Sequence, residues 1–223
     1  MVVNKWKIAL VALLVFLPTP SALGQEPAVP KKTNARPEAK PSQGAAEPFD
    51  KADTKTMAGQ CVRLDTETGA IEMEMYPESA PESVRNFLNL AATGAFDTTT
   101  FSRVVPGFVI QGGDLYARDS KMTVGLAARA RRTIPDEPSK ILHERGVVSM
   151  ARSDEPNQAT TNFFILLTSA PYLDGKFAAF GRVTKGMEVV EAINKMPVTE
   201  EKPEKPVRIR KATLFACPTP SQN

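Results

Sequence analysis

The chain has 223 residues, of which 42% are hydrophobic and 24% charged, and its formal net charge is +3. That length suits one globular domain with extensions, and the composition excludes a disordered chain, a collagen and a multi-span membrane protein. One histidine, His143, and two cysteines, Cys61 and Cys217, are too few for a zinc site of three or four such ligands. A Ser-His-Asp hydrolase would have to be built on His143 alone.

Residues 1–24 read as a secretory signal peptide. Lys5 and Lys7 precede an apolar run from Ile8 to Leu17, and Ala22-Leu23-Gly24 resembles a small-residue cleavage site. The run is shorter than the roughly 20 residues of a membrane span, so cleavage near Gly24 is expected over retention as an anchor. Cleavage removes two lysines and no acid, which lowers the charge from +3 to +1. Such a balance gives no reason to expect a nucleic acid or an anionic membrane as partner. The protein is expected to be exported, periplasmic or secreted, without stable membrane insertion, and a monomer.

Residues 25–56 carry prolines at 27, 30, 37, 41 and 48 with scarcely an apolar cluster, and read as a flexible Pro-rich linker. The domain is expected over 57–217, with 218–223 as a tail. Within it, alternation predicts a hairpin of Gly59–Thr66 and Ala70–Met75 around Glu67-Thr68-Gly69. Ser79-Ala80-Pro81-Glu82 has the spacing of a capping box. Behind it Val84, Phe87, Leu88 and Ala91 form a helical stripe that stops at Gly94.

Further strands are expected over 100–105, 108–111, 146–151, 163–167, 178–183 and 207–216, with a second helix over 187–195. The pattern predicts a mainly β fold, a closed or nearly closed barrel capped by two α-helices. If the first and last strands pair antiparallel, Cys61 starts one beside Cys217, which ends the other. An oxidising compartment would then favour a Cys61–Cys217 disulfide over two inert thiols.

Phosphate-loop motifs and G-x-S-x-G are absent. The carboxylate pairs Asp136-Glu137 and Asp154-Glu155, and the basic run Arg129, Arg131 and Arg132, read as solvated loops. What stands out is the run from Phe101 to Asp114, FSRVVPGFVIQGGD. Alternation puts Arg103 and Val105 on one strand face, and the Pro106-Gly107 break lets Phe108 and Gln111 share a surface. A fixed cation, a ring and an amide, with no nucleophile, suit recognition of an uncharged polar group beside an apolar ring.

This run resembles the cyclophilin family of peptidyl-prolyl isomerases. The resemblance continues through Arg145–Arg152, Thr161–Ile165 and Tyr172–Val183, and covers essentially 57–217. It implies a closed eight-stranded antiparallel barrel with a helix at each end, and an isomerase of exported bacterial type with no cofactor and no metal. Its partners would be proline-containing unfolded or flexible polypeptides. Arg103, Gln111 and Phe108 match the catalytic positions, with the guanidinium placed at the prolyl nitrogen. Val109, Phe164 and Leu173 match the proline pocket, and Ala151, Arg152 and Ser153 the segment that pairs with bound peptide.

Asn162 stands where the family usually has glutamine, Tyr172 where eukaryotic members have a tryptophan associated with cyclosporin, and Phe177 where a histidine is frequent. Tyr172 therefore implies weak cyclosporin binding. Between Asp114 and Thr133 only Gly125 remains of a loop that is often glycine-rich. The alternative function is a proline-peptide-binding adaptor or chaperone with little turnover. A third is an envelope-complex component tethered by the linker.

Overall fold

A computed structural model describes residues 46–218. The leader, the linker up to residue 45 and residues 219–223 of the tail lie outside the described residues. The first hairpin pairs β1 (Gln60–Thr66) with β2 (Gly69–Met75), and its alternation buries Val62, Leu64, Ile71 and Met73 completely. The short strands β3 (Arg103–Val105) and β4 (Val109–Gly112) form a second hairpin. Then follow β5 (Val147–Met150), β6 (Phe163–Leu166) and β7 (Ala179–Lys185), a small hairpin of β8 (Val198–Thr199) and β9 (Lys202–Pro203), and β10 (Ile209–Ala216).

Eight of these strands make one antiparallel curled sheet in the order β10-β1-β2-β7-β5-β6-β4-β3. The expected closed barrel needs one correction. Its edges, β3 and β10, do not pair as strands. Instead the chain just before β3 meets the chain around the start of β10. Phe101 N–H donates to Val207 O, Thr98 N–H to Ile209 O and Ile209 N–H to Thr99 O, at 2.8–2.9 Å. An isolated bridge, Thr100 to Arg208, completes this seam.

Two longer helices are α2 (Pro81–Ala92) and α4 (Met187–Asn194), and two shorter ones are α1 (Thr54–Ala58) and α3 (Val124–Ala130). The stripe of α2 buries Val84, Phe87, Leu88 and Ala91, as its spacing predicts. Phe87 meets Phe96, Phe163 and Phe180 at centroid distances of 5.0–5.1 Å, so one aromatic cluster joins helix to sheet. The expected capping box does not form. Ala80 is the N-cap and offers no side-chain bond. Glu137 caps the helix from another loop, its carboxylate accepting from Glu82 N–H, Ser83 N–H and the Ser83 hydroxyl. A negative group suits the positive end of a helix.

Glu137 of the Asp136-Glu137 pair is thus a structural brace rather than a solvated acid. Arg129 departs from expectation in the same way: its side chain is largely buried, with Nε donating to Glu47 at 2.7 Å and Nη2 to Asn86 Oδ1 at 2.8 Å. Residues 46–56, assigned to the linker by composition, dock on the domain. Phe49 N–H donates to Asn89 Oδ1, Arg85 donates to the carbonyls of Phe49 and Ala52, and Asp53 caps α1. Composition misleads here because backbone groups and one ring, not a run of apolar residues, make the attachment.

The disulfide is present. Cys61 is bonded to Cys217, and Cys217 N–H donates to Gly59 O at 3.0 Å beside the β1–β10 ladder.

Candidate active site

Opposite faces of β4 and β6 serve different purposes. Ile110, Phe163 and Ile165 enter the main core, while Val109, Phe164 and Leu166 belong to a smaller apolar cluster with Leu173 and Ala170. The period-two geometry of a strand produces this division. The smaller cluster floors a cavity of about 200 Å³. Around it the structure gathers Arg103, Phe108, Val109, Gln111, Ala151, Arg152, Phe164, Tyr172, Leu173 and Phe177.

Register explains the gathering. Arg103 faces Gln111 across the β3–β4 pair, and Gln111 faces Phe164 across the β4–β6 pair. The two strands of the hairpin turn at Pro106-Gly107, where Gly107 has φ 72° and Phe108 N–H donates to Val105 O at 3.0 Å. Proline presets the first turn position and glycine accepts the positive φ of the second. That turn carries Phe108 to the rim of the cavity.

Asn194, at the end of α4, fixes the same turn. Its amide donates to Val105 O and Val109 O and its carbonyl accepts from Gly107 N–H, all at 2.7–3.1 Å. Sequence reasoning missed Asn194, because a single asparagine on an amphipathic helix carries no signal of what it meets.

Arg103 Nη1 lies 3.4 Å from Gln111 Oε1. The remaining walls are aromatic and apolar. The Phe108 and Tyr172 rings lie 6.2 Å apart and those of Phe164 and Phe177 6.1 Å apart, while the Arg152 guanidinium sits 4.9 Å over the Phe177 ring. Ser153 and Asn162, the two remaining site candidates, line an adjoining polar cavity of about 210 Å³. Gln111, Ala151 and Arg152 border both cavities.

The single histidine meets the other members of a Ser-His-Asp set, with His143 and Ser149 buried and Asp174 partly exposed. His143 Nδ1 is 3.0 Å from Asp174 Oδ1 and Nε2 is 3.2 Å from Ser149 Oγ. Ser149 is fully buried and its hydroxyl donates to Ala178 O at 2.8 Å, so it cannot serve as a nucleophile toward an external substrate. The arrangement is a latch. Asp174 accepts His143 N–H at 2.7 Å and His143 O accepts from Ala170 N–H at 2.8 Å. Between them runs the short 3-10 turn Pro171–Leu173 that presents Tyr172 and Leu173. The backbone N–H of His143 holds the Asp174 carboxyl below the ordinary carboxylate range, with a further contribution from its ring.

The site is an apolar slot with a guanidinium and an amide at its mouth, with room for a small apolar ring beside a polar group. The comparisons agree. The model of the cyclophilin-type peptidyl-prolyl cis-trans isomerase family matches residues 61–214. The peptidyl-prolyl cis-trans isomerase cypE of Dictyostelium discoideum is 38% identical over 159 residues, 70% of this chain and 99% of that protein. CYP23 of Arabidopsis thaliana is 38% identical over 141 residues, and the chain spans 62% of its length. A probable peptidyl-prolyl cis-trans isomerase of Brucella suis is 35% identical over 183 residues, 78% of this chain and 90% of that one.

Among solved structures, a Cryptosporidium parvum cyclophilin crystallised in the presence of the dipeptide Ala-Pro superposes with a TM-score of 0.61 at 28% identity. The superposition covers 70% of this chain and 99% of that one. The chain belongs to the cyclophilin family of peptidyl-prolyl cis-trans isomerases.

Proposed function

We propose that the protein accelerates cis-trans rotation of X–Pro bonds in exported polypeptides, by electrostatic catalysis without a covalent step. The observation that carries this reading is the Arg103 guanidinium at the mouth of an apolar cavity walled by Phe108, Phe164 and Leu173. Rotation about a peptide bond faces a barrier of about 18–20 kcal/mol because of amide resonance. A cation at the prolyl nitrogen draws its lone pair out of that resonance. Arginine suits the task because it does not lose its charge, and an apolar surround strengthens the interaction.

In this reading the proline ring enters the first cavity, with Val109 and Phe164 at its floor and Phe108, Tyr172 and Phe177 about it. Gln111 orients Arg103 and the substrate backbone. The chain before the proline runs along Ala151, Arg152 and Ser153 toward the polar cavity bordered by Asn162. Export is supported by the pattern of residues 1–24 and by the Cys61–Cys217 bond, which belongs to an oxidising compartment. Uncatalysed isomerisation takes tens to hundreds of seconds, slow enough to limit folding there.

Isomerisation of an Ala-Pro tetrapeptide tests the proposal. Arg103→Ala is expected to lower kcat/KM by about 10²-fold while peptide binding persists. A wild-type protein that binds the peptide without turnover would instead make it an adaptor.

A further inference from the structure

Arg103 has a second partner outside the motif. Its Nε donates to Glu201 Oε2 at 2.7 Å, whereas Nη1 is the atom facing Gln111. The carboxylate comes from the two-residue turn between β8 and β9. Both turn residues, Glu200 (φ 50°) and Glu201 (φ 65°), lie in the left-handed region. Such turns favour Asn-Gly or Gly-Gly, and side chains with a Cβ are strained there. The turn is nevertheless fixed to the barrel edge, since Val104 N–H donates to Glu201 O at 2.8 Å. Strain of this kind persists where the surroundings over-determine it, and it gathers at functional sites.

We propose that Glu201 is a positioning residue for Arg103: by holding Nε it keeps the Nη edge of the guanidinium over the proline cavity. The role rests on Arg103 acting at the prolyl nitrogen. Arg103 is 45% exposed and Glu201 48%, so solvent screens the charge between them and the value of the contact lies in orientation. An arginine left on a half-exposed strand samples many rotamers, and each unproductive one subtracts from turnover. The strained turn gives up stability to deliver that restraint.

Glu201→Gly in the full chain separates orientation from architecture, because glycine accepts φ 65° and retains the carbonyl that binds Val104. We expect kcat/KM on an Ala-Pro tetrapeptide to fall about fivefold, mostly in kcat, while Tm rises by about 2–4 °C. Glu201→Gln, whose amide oxygen still accepts from Nε–H, should recover most of the activity. In an Arg103→Ala background Glu201→Gly should change kcat/KM no further. Unchanged activity, a further loss in that background, or a Tm that falls in step with activity would overturn the role. Wild-type turnover in Arg103→Ala alone would overturn the electrostatic reading beneath it. A crippled Arg103→Ala beside an unaffected Glu201→Gly would overturn only the positioning.

Discussion

Arg103 and Gln111 are register partners across the β3–β4 hairpin, and the Gln111 amide oxygen is aimed at the guanidinium from 3.4 Å. Backbone register thus brings the two side chains within reach of each other.

Gln111→Ala removes the acceptor and leaves Arg103 less restrained on that edge. A lost hydrogen bond to a charged group is worth about 1.5–3 kcal/mol, so kcat/KM on the Ala-Pro tetrapeptide should fall by about tenfold or more. Unfolding temperature should hardly move, because the side chain lies at the cavity mouth rather than in the core. Steady-state kinetics and a thermal melt on the same sample check both halves.

Asn194→Ala deletes three hydrogen bonds to the turn that carries Phe108. Asn194 is buried, so Gly107 N–H loses its acceptor and the Val105 and Val109 carbonyls each lose a donor, although Val105 O keeps the Phe108 N–H. The expected cost is about 2–3 kcal/mol of stability. A rise in KM should accompany it as the turn loosens beneath the pocket wall. Denaturant unfolding and peptide titration measure the two effects separately.

Breaking the Cys61–Cys217 bond should destabilise without touching the chemistry. The cysteines enclose a sequence separation of 156 residues, for which the chain-entropy model gives about 5 kcal/mol as an upper value. Cys61→Ala/Cys217→Ala should melt on the order of 10 °C lower. Its kcat/KM at 25 °C should match wild type. Reductant should lower the wild-type Tm toward the variant's and leave the variant unmoved.

Asp174 makes one contribution to the pH dependence of stability at the acid end. Its folded-state pKa is depressed by the His143 backbone N–H. The stability it contributes is full above the unfolded carboxylate value of about 3.9 and is lost as pH falls through the lower folded value. Asp174→Asn retains an oxygen acceptor but does not titrate there. Its Tm should therefore fall less steeply than wild type below about pH 4, which a pH series of thermal melts resolves.

Much of this molecule could be read before its coordinates, and the reasons differ by region. The α2 stripe and the β1–β2 alternation are periodic, and period is what burial writes into a sequence. The cavity was legible because Arg103, Phe108 and Gln111 stand in a run with its own turn chemistry, and because the later segments keep order with it. By contrast α3 was missed: none of its residues is buried, so it has no stripe to show. Glu137 and Glu47 were missed because a carboxylate that caps a helix or pairs with an arginine from a distant loop looks, locally, like any solvated acid. Glu201 was hidden further still, since a Glu-Glu dipeptide is an unlikely tight turn by propensity and only the fold holds it there.

The disulfide closes the described chain almost end to end, with Pro218 alone beyond Cys217 on one side and the docked segment from Ala46 preceding Cys61 on the other. A protein-threading machine that pulls on the chain from either side meets a covalently closed loop spanning most of the domain. It must then pass two strands of polypeptide together or stall. While that sulfur–sulfur linkage is intact, neither β1 nor β10 can be drawn out of the sheet without the other.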